Sequence, residues 1–557
     1  MINDFASKYD ISDKNYLKDE NALYEILSDY ERLSEITENN AITYFSLSQD
    51  LNANDRIASS KLALLSNRMA KLGNKLTFFE ISIGKIEKDL QDKFLKSDKL
   101  KHFRVFLKRI FDDAKYSLSI PEEKIMSLKS QPAYEMWVSG NEKILNMKTI
   151  KFKGEVMPIS KAMSTMRYLS KSADREKLST EINKVLKEVA SFSEAEINAV
   201  ITNKKINDEL RGYKTPYENR IVSCENDSKV VDDLVNIVTQ GFRISHKFYK
   251  LKAKLLNKKR LSYEDRSVSI GKIKSSFSFN DSISLFKKTL DNVDNKFTEI
   301  LNSYLENGQI DVYPKIGKTG GAYCAGSYKT PTFVLLNHVD GLNSFSTLAH
   351  EMGHAFHTEL SKSQGILYHG YSTSLAETAS TLFEALAFES VFEKLSPKEQ
   401  IIVLHDRISD DISTVFRQIA CFNFELELHN TIREKGFLSK EEIANIHNKN
   451  MKAYLGPNFD LKEDDGYFFV VWSHIRNFFY VYTYAYGQLV SKALFAKYKE
   501  DKNFWKSIDR FLSSGGKASP EEILKEIGLD VYNGEVWKKG LAQIESDIDR
   551  LEKLTKI

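Results

Sequence analysis

The first 120 residues contain no proline, and only Gly73 and Gly84 interrupt them. Apolar residues recur there at spacings of three and four, as in Ile57, Leu62, Leu65, Met69 and Leu72. Proline breaks helix interiors and glycine weakens them, so this stretch reads as long amphipathic helices. Residues 121–165 mix prolines with short polar turns and mark a boundary. Helical patterning returns over about 166–305. The segment 308–340 differs: five glycines (Gly308, Gly317, Gly320, Gly321, Gly326) precede the apolar run Phe333-Val334-Leu335-Leu336, the clearest strand candidate. Helices dominate again from 342 onward, and Ser519-Pro520-Glu521-Glu522 is an orderly helix start. The pattern predicts a mainly α chain with one small β element.

Composition narrows the class. The chain has 557 residues, and 80 Lys+Arg against 77 Asp+Glu leave a net charge of +3. That length supports a large core, and the near-cancelled charge argues against a nucleic acid or a polybasic membrane contact. Cys224, Cys324 and Cys421 are too few and too odd for a disulfide scaffold and suit a reducing compartment. The start MINDFASKYD lacks the basic-then-apolar pattern of a signal peptide. The most apolar run, 468–490, carries His474, Arg476 and Asn477, which a lipid-spanning helix rarely accepts. A soluble cytoplasmic protein with no membrane or nucleic-acid partner is expected.

The chemistry concentrates at His350-Glu351-Met352-Gly353-His354, an H-E-x-x-H pattern. On a helix the two imidazoles lie ~6 Å apart along the axis, on one face, within reach of one zinc ion. Leu348, Ala349, Met352, Ala355, Phe356 and Leu360 supply apolar helical positions. Asn343 or Ser344 can cap the start and Gly365 can end it. Glu351, one residue on from His350, is placed to contact a water on the metal rather than the metal itself. His357 lies ~10 Å along the axis from His350, too far to share the ion, and is expected behind the ligands. A catalytic zinc needs a third protein ligand. Residue 360 is leucine, so a carboxylate on a following helix is expected. Glu377 fits, in the apolar setting of Leu375, Ala376, Ala379 and Leu382. The competing role is a capping box, Ser374-x-x-Glu377, in which the glutamate only ties off a helix. Glu384, seven residues on, is either a partner that orients a ligating histidine or a surface acid.

These runs, HEMGHAFH (350–357) and LAETAS (375–380), resemble the oligoendopeptidase F branch of the thimet oligopeptidase family of zinc metallopeptidases. Further blocks agree: GGAYCAG (320–326), FVLLN (333–337), FRQIA (416–420), His474 with FYVYTYA (479–485), and FLSSGG (511–516) with Ser519-Pro520. Strong similarity spans about 310–545. The resemblance implies a large two-lobed helical metallopeptidase of zincin type, with a small β element beside the active-site helix. A deep central channel holds one Zn2+ on its floor and admits short peptides. The division expected is 1–120, an N-terminal helical region; 121–190, a helical lobe or linker; and 191–557, the catalytic domain.

Carried over by position, His350, His354 and Glu377 would ligate zinc and Glu351 would be the general base. The family also uses a histidine and tyrosines from a late helix, which His474, Tyr480 and Tyr484 match, with Tyr486 next. The alternative for each tyrosine is core filling or channel lining. If its edge faces the channel, the strand Phe333, Val334, Leu335 is expected to align substrate by strand addition. Gly320 and Gly321 would allow close backbone approach or a moving loop. The expected activity is cleavage of internal bonds of short peptides. The alternatives are a zinc exopeptidase trimming dipeptides, and a non-catalytic helical peptide-binding protein. The oligomeric state is not legible.

Overall fold

Helices take up 72% of the chain and strands 4%, so the mainly α expectation holds. The computed structural model describes residues 1–10, 14–38 and 40–556. Two hydrophobic cores form. One draws on residues 2–111, including Phe5, Leu23, Ile26, Phe79, Phe94 and Leu107. The other runs from Leu145 to Leu551.

The N-terminal helices are shorter than the sparse proline and glycine suggest. Aspartates punctuate them instead: Asp19 caps Glu20–Thr37 and Asp55 caps Arg56–Gly73 by accepting backbone N–H bonds. The apolar stripe on Arg56–Gly73 is only half covered: Leu62, Leu65, Met69 and Leu72 are half-buried. Ile57 is 72% exposed, and Ala58 is the helix's buried residue. This helix and Asn40–Leu51 form a hairpin that lies against the glycine-rich segment. There the Tyr323 hydroxyl donates to Asp50 at 2.7 Å and Ala53 N–H donates to the Gly317 carbonyl at 2.7 Å. Residues 121–165 hold more regular structure than their prolines suggest. Pro121 sits in the first turn of the capped helix Ile120–Ser130, where a missing N–H costs nothing. Helix Met136–Asn146 and a hairpin of β1 (Thr149–Phe152) and β2 (Glu155–Pro158) follow.

Strands β3 (Leu261–Ser262) and β7 (Phe459–Asp460) pair in parallel. Strands β4 (Ile310–Asp311), β5 (Tyr323–Ala325) and β6 (Phe333–Leu335) form a three-stranded sheet in the order β4-β6-β5. This corrects one expectation. Phe333, Val334 and Leu335 occupy the central strand, paired to β4 on one side and β5 on the other. Both edges of β6 are spent, so a substrate strand cannot add to it, and Val334 and Leu335 are buried.

Three helices frame the chemistry: the histidine helix Leu342–Ser361, the glutamate helix Thr373–Phe392 and the tyrosine helix Tyr482–Glu500. Small residues bring them close. A Cβ on Gly353 would lie 2.7 Å from Ser380 Cα and 2.9 Å from the Ala379 carbonyl. A Cβ on Gly487 would lie 3.2 Å from Glu377 Cβ. Gly353→Ala must therefore force the first two helices apart. We expect a loss of about 1–3 kcal/mol of stability, the usual cost of overpacking, together with weaker zinc retention. Thermal unfolding and metal content check this; unchanged values in both would show that the helices part freely.

The apolar run 468–490 is broken, not one helix. It passes through short 3-10 turns, Glu463–Val470 and Ser473–Arg476, and becomes α-helical only at Tyr482. Among the described residues no helix is long and apolar enough to cross a membrane.

Candidate metal centre and active site

The histidine helix begins at Leu342 behind the extended Gly341, with no side-chain cap. Asn343 and Ser344 therefore do not cap it. Ser344 instead accepts a hydrogen bond from Val339 N–H. The helix runs into a 3-10 turn, Lys362–Gln364, ended by Gly365 at φ 81°, a conformation glycine adopts without strain.

His350 and His354 turn their Nε2 atoms toward one carboxylate oxygen. Glu377 Oε2 lies 3.4 Å from His350 Nε2 and 3.6 Å from His354 Nε2. One ligand atom from each residue falls within 4.8 Å of the others. Ser372 caps the glutamate helix by accepting from Ser374 N–H. That job is thus taken, and Glu377 sits further along, accepting from Ser380 Oγ at 3.0 Å. The far side of each imidazole is also held. His350 Nδ1 meets Glu384 Oε2 at 3.2 Å, and Ser346 Oγ donates to the other Glu384 oxygen at 2.9 Å. His354 hydrogen-bonds the backbone at Ala376. Anchored this way, the two rings aim their Nε2 atoms at a common centre.

The electrostatics favour a cation there. Burial alone would lower the His350 pKa, but Glu377 and Glu384 override it and lift it to about 10. Burial would raise Glu377, yet the two histidines hold it down to about 2. Two imidazole nitrogens and one carboxylate, open on one side, are the donor set of a catalytic zinc. The residues present fit that ion.

Glu351 is 7% exposed. Burial pushes its carboxyl up to about 7; His350 opposes the shift, and the charges of Glu377 and Glu384 add to it. A carboxyl near neutrality is suited to proton transfer at physiological pH. His357 does not approach the ligands. It is buried and stacks flat on Tyr371, ring centroids 3.7 Å apart, with Phe511 beside it. Burial, with His354 adding, takes its pKa down to about 3, so it packs as a neutral ring.

The late residues sort cleanly. His474 lies on the turn Ser473–Arg476 rather than on a helix. Arg476, paired to buried Glu196 at 2.7 Å, anchors that turn. Phe478 and Phe479 take positive φ (42° and 58°) and reverse the chain, which brings Tyr480 back onto His474. The Tyr480 hydroxyl meets His474 Nδ1 and lies 3.4 Å from the Tyr484 hydroxyl. Tyr484 shares a cavity of about 440 Å³ with His350, Glu377 and Glu384. Tyr486 must be corrected. It is fully buried, packed edge-on against Trp537. Two residues beyond Tyr484 on a helix, it points to a different face and fills core.

Gly320 and Gly321 lie between β4 and β5, and a Cβ on either would meet nothing within 4 Å. Only Gly321 needs glycine's freedom, at φ 80°. The Asn337 amide fixes this loop by donating to the Thr319 and Gly321 carbonyls. Sequence reasoning passed over Gly353 and Gln418. The second stands in the block 416–420, where no chemistry was assigned to it; its amide lies 3.4 Å from His474 Nε2.

Comparison with known proteins gives the family and the fold. The family model described as Peptidase family M3 matches residues 165–543, and that of Oligopeptidase F matches 83–149. An oligoendopeptidase F homolog of Borreliella burgdorferi is 27% identical over 550 residues, covering 96% of this chain and 90% of that protein. One from Lactococcus lactis subsp. lactis is 26% identical over 501 residues, covering 87% and 82%. The crystal structure of a peptidase from Chlamydophila abortus superposes with a TM-score of 0.86 at 22% identity, covering 99% of this chain and 96% of that one. Oligoendopeptidase-F from Enterococcus faecium gives 0.74 at 18%, covering 100% and 97%. With a family model matched over more than half its length, the chain belongs to peptidase family M3 and is a metallopeptidase of the oligoendopeptidase F kind.

Proposed function

We propose that this protein is a zinc-dependent oligoendopeptidase that hydrolyses internal bonds of short peptides in the cytoplasm. The observation that supports it most is the convergence of His350, His354 and Glu377 on one centre, with Glu351 on the same helix. His350, His354 and Glu377 hold one zinc ion per chain, and Glu384 fixes the His350 ring. When bound, zinc would supply a Lewis acid that acidifies a water and polarises the scissile carbonyl. Glu351 takes a proton from the attacking water and passes it to the leaving amine. Tyr480 and Tyr484 donate hydrogen bonds to the oxygen on which charge develops. Burial raises the Tyr480 phenol well above its ordinary value, so it stays a donor.

β5 (Tyr323–Ala325), an edge strand packed beside the histidine helix, has one side paired to β6 and among the described residues no strand on the other, where a substrate backbone can add. The hairpin of 40–73, tethered to β5 through Asp50 and Tyr323, narrows the approach and favours thin, unfolded substrates. The free cysteines support a reducing compartment.

The test is an internally quenched peptide of about ten residues blocked at both ends, with a folded protein as parallel substrate. Internal cleavage of the peptide alone, abolished by a chelator and restored by zinc, is the expected result. Cleavage that survives complete metal removal would overturn the metallopeptidase mechanism. Products formed only from unblocked termini would move the activity to an exopeptidase.

A further inference from the structure

Gln418 opens the helix Gln418–Lys435, immediately after a π-helical turn, Ile412–Arg417. Such turns insert an extra residue into a helix, re-aim the side chains beyond it, and recur at functional sites. Before the turn, Asp411 pairs with Lys492 and Gln488 of the tyrosine helix. After it, Gln418 is turned toward His474. The Gln418 side chain is 7% exposed. Its amide nitrogen lies 3.4 Å from His474 Nε2, and its Oε1 is buried without a partner among the described residues. His474 Nδ1 meets the Tyr480 hydroxyl, which in turn neighbours the Tyr484 hydroxyl in the cavity beside the metal ligands.

This row can carry its protons in two directions. If the Gln418 amide donates to His474 Nε2, the ring's single proton sits on Nδ1 and is donated to the Tyr480 oxygen. The Tyr480 hydrogen is then free for the cavity. If the amide is reversed, Nε2–H donates to Gln418 and bare Nδ1 takes the Tyr480 hydrogen, silencing that hydroxyl as a donor. The structure turns the amide nitrogen, not its oxygen, toward His474 Nε2. The first direction is therefore favoured. His474 carries only one proton near neutrality: burial, with Arg417 adding, takes its pKa down to about 4.

We propose that Gln418 is a positioning residue that holds His474 in its Nδ1–H form, so that the Tyr480 hydroxyl points its hydrogen at the reacting oxygen. This inference rests on the peptidase reading above. Gln418 touches no substrate; it acts through His474 and Tyr480.

The test has two arms. In zinc-loaded wild-type protein with 15N-labelled histidine, the His474 ring should show a protonated Nδ1 and a bare Nε2. In Gln418→Met, which keeps the volume and removes the donor, the proton should shift toward Nε2. In the second arm, kcat of Gln418→Met should fall about 10–100-fold, approaching the loss of one oxyanion donor, with KM within about 2-fold. The same substitution in a Tyr480→Phe background should cost almost nothing further, because the group it acts through is gone. A wild-type His474 protonated on Nε2 would overturn the proposal, as would unchanged kcat in Gln418→Met or an equal loss in both backgrounds. Absence of any peptide cleavage by wild-type enzyme would instead overturn the peptidase reading, while the first arm would still decide the direction of the row.

Discussion

Glu351→Gln is expected to bind zinc stoichiometrically, fold as the wild type does, and lose roughly 10²–10⁴-fold in turnover, the range for removing a positioned general base. The amide keeps the shape of the carboxyl but cannot accept a proton from water. Folding should survive because the charge is already expensive where it sits. The group is 7% exposed and its pKa is lifted to about 7. Burial already disfavours the charged form there, so a permanent neutral isostere costs the fold little. Metal content, thermal unfolding and kcat on a quenched peptide check the three parts. Wild-type turnover in a zinc-loaded variant would remove Glu351 from the chemistry.

Glu377→Ala should fail at an earlier stage, by losing the metal. Among the described residues the carboxylate is the only acidic group within 4 Å of both Nε2 atoms, at 3.4 and 3.6 Å. Removing an outer partner of a metal ligand typically weakens binding about 10–100-fold, and removing a ligand should exceed that. After dialysis the variant should hold far less than one zinc per chain and show no peptide cleavage. Its helix start should be intact, because Ser372 rather than Glu377 satisfies the first turn. Full zinc retention would return Glu377 to a structural role. Read together, the two substitutions separate holding the metal from moving the proton.

The candidate metal site was largely legible in the sequence because its parts are local. Two histidines four apart face the same way on any helix, and the third candidate ligand, the Glu377 carboxylate, lies on the next α-helix. The mainly α character was equally local, a matter of where proline and glycine are missing. Local patterns were weakest where a residue's role depends on its neighbours in space. The stripe beginning at Ile57 has helical spacing, yet spacing does not say whether another element covers it, and none covers Ile57. The run Phe333–Leu335 reads as a strand, but whether a strand is central or at an edge depends on partners 8 to 24 residues away.

The tyrosines divide along the same line. Alternation at 480, 482, 484 and 486 marked an aromatic surface but could not say which members face the metal. Two positive-φ phenylalanines and a buried Glu196–Arg476 pair fold Tyr480 back onto His474, while Tyr486 turns into the core against Trp537. Gly353 gave no signal beyond being one of the unspecified positions in the motif, and its reason is the backbone of a different helix 2.7 Å from where its Cβ would be. The sequence by itself determined the helical class and the candidate set of two histidines, Glu351 between them and Glu377 on a following helix. These depend on backbone periodicity and on side-chain chemistry that each residue carries wherever it sits. Only the tertiary structure decided which strand edge is open, which tyrosines look into the cavity, and that Gln418 stands behind His474, because close packing and burial are properties of pairs of surfaces that no single segment contains.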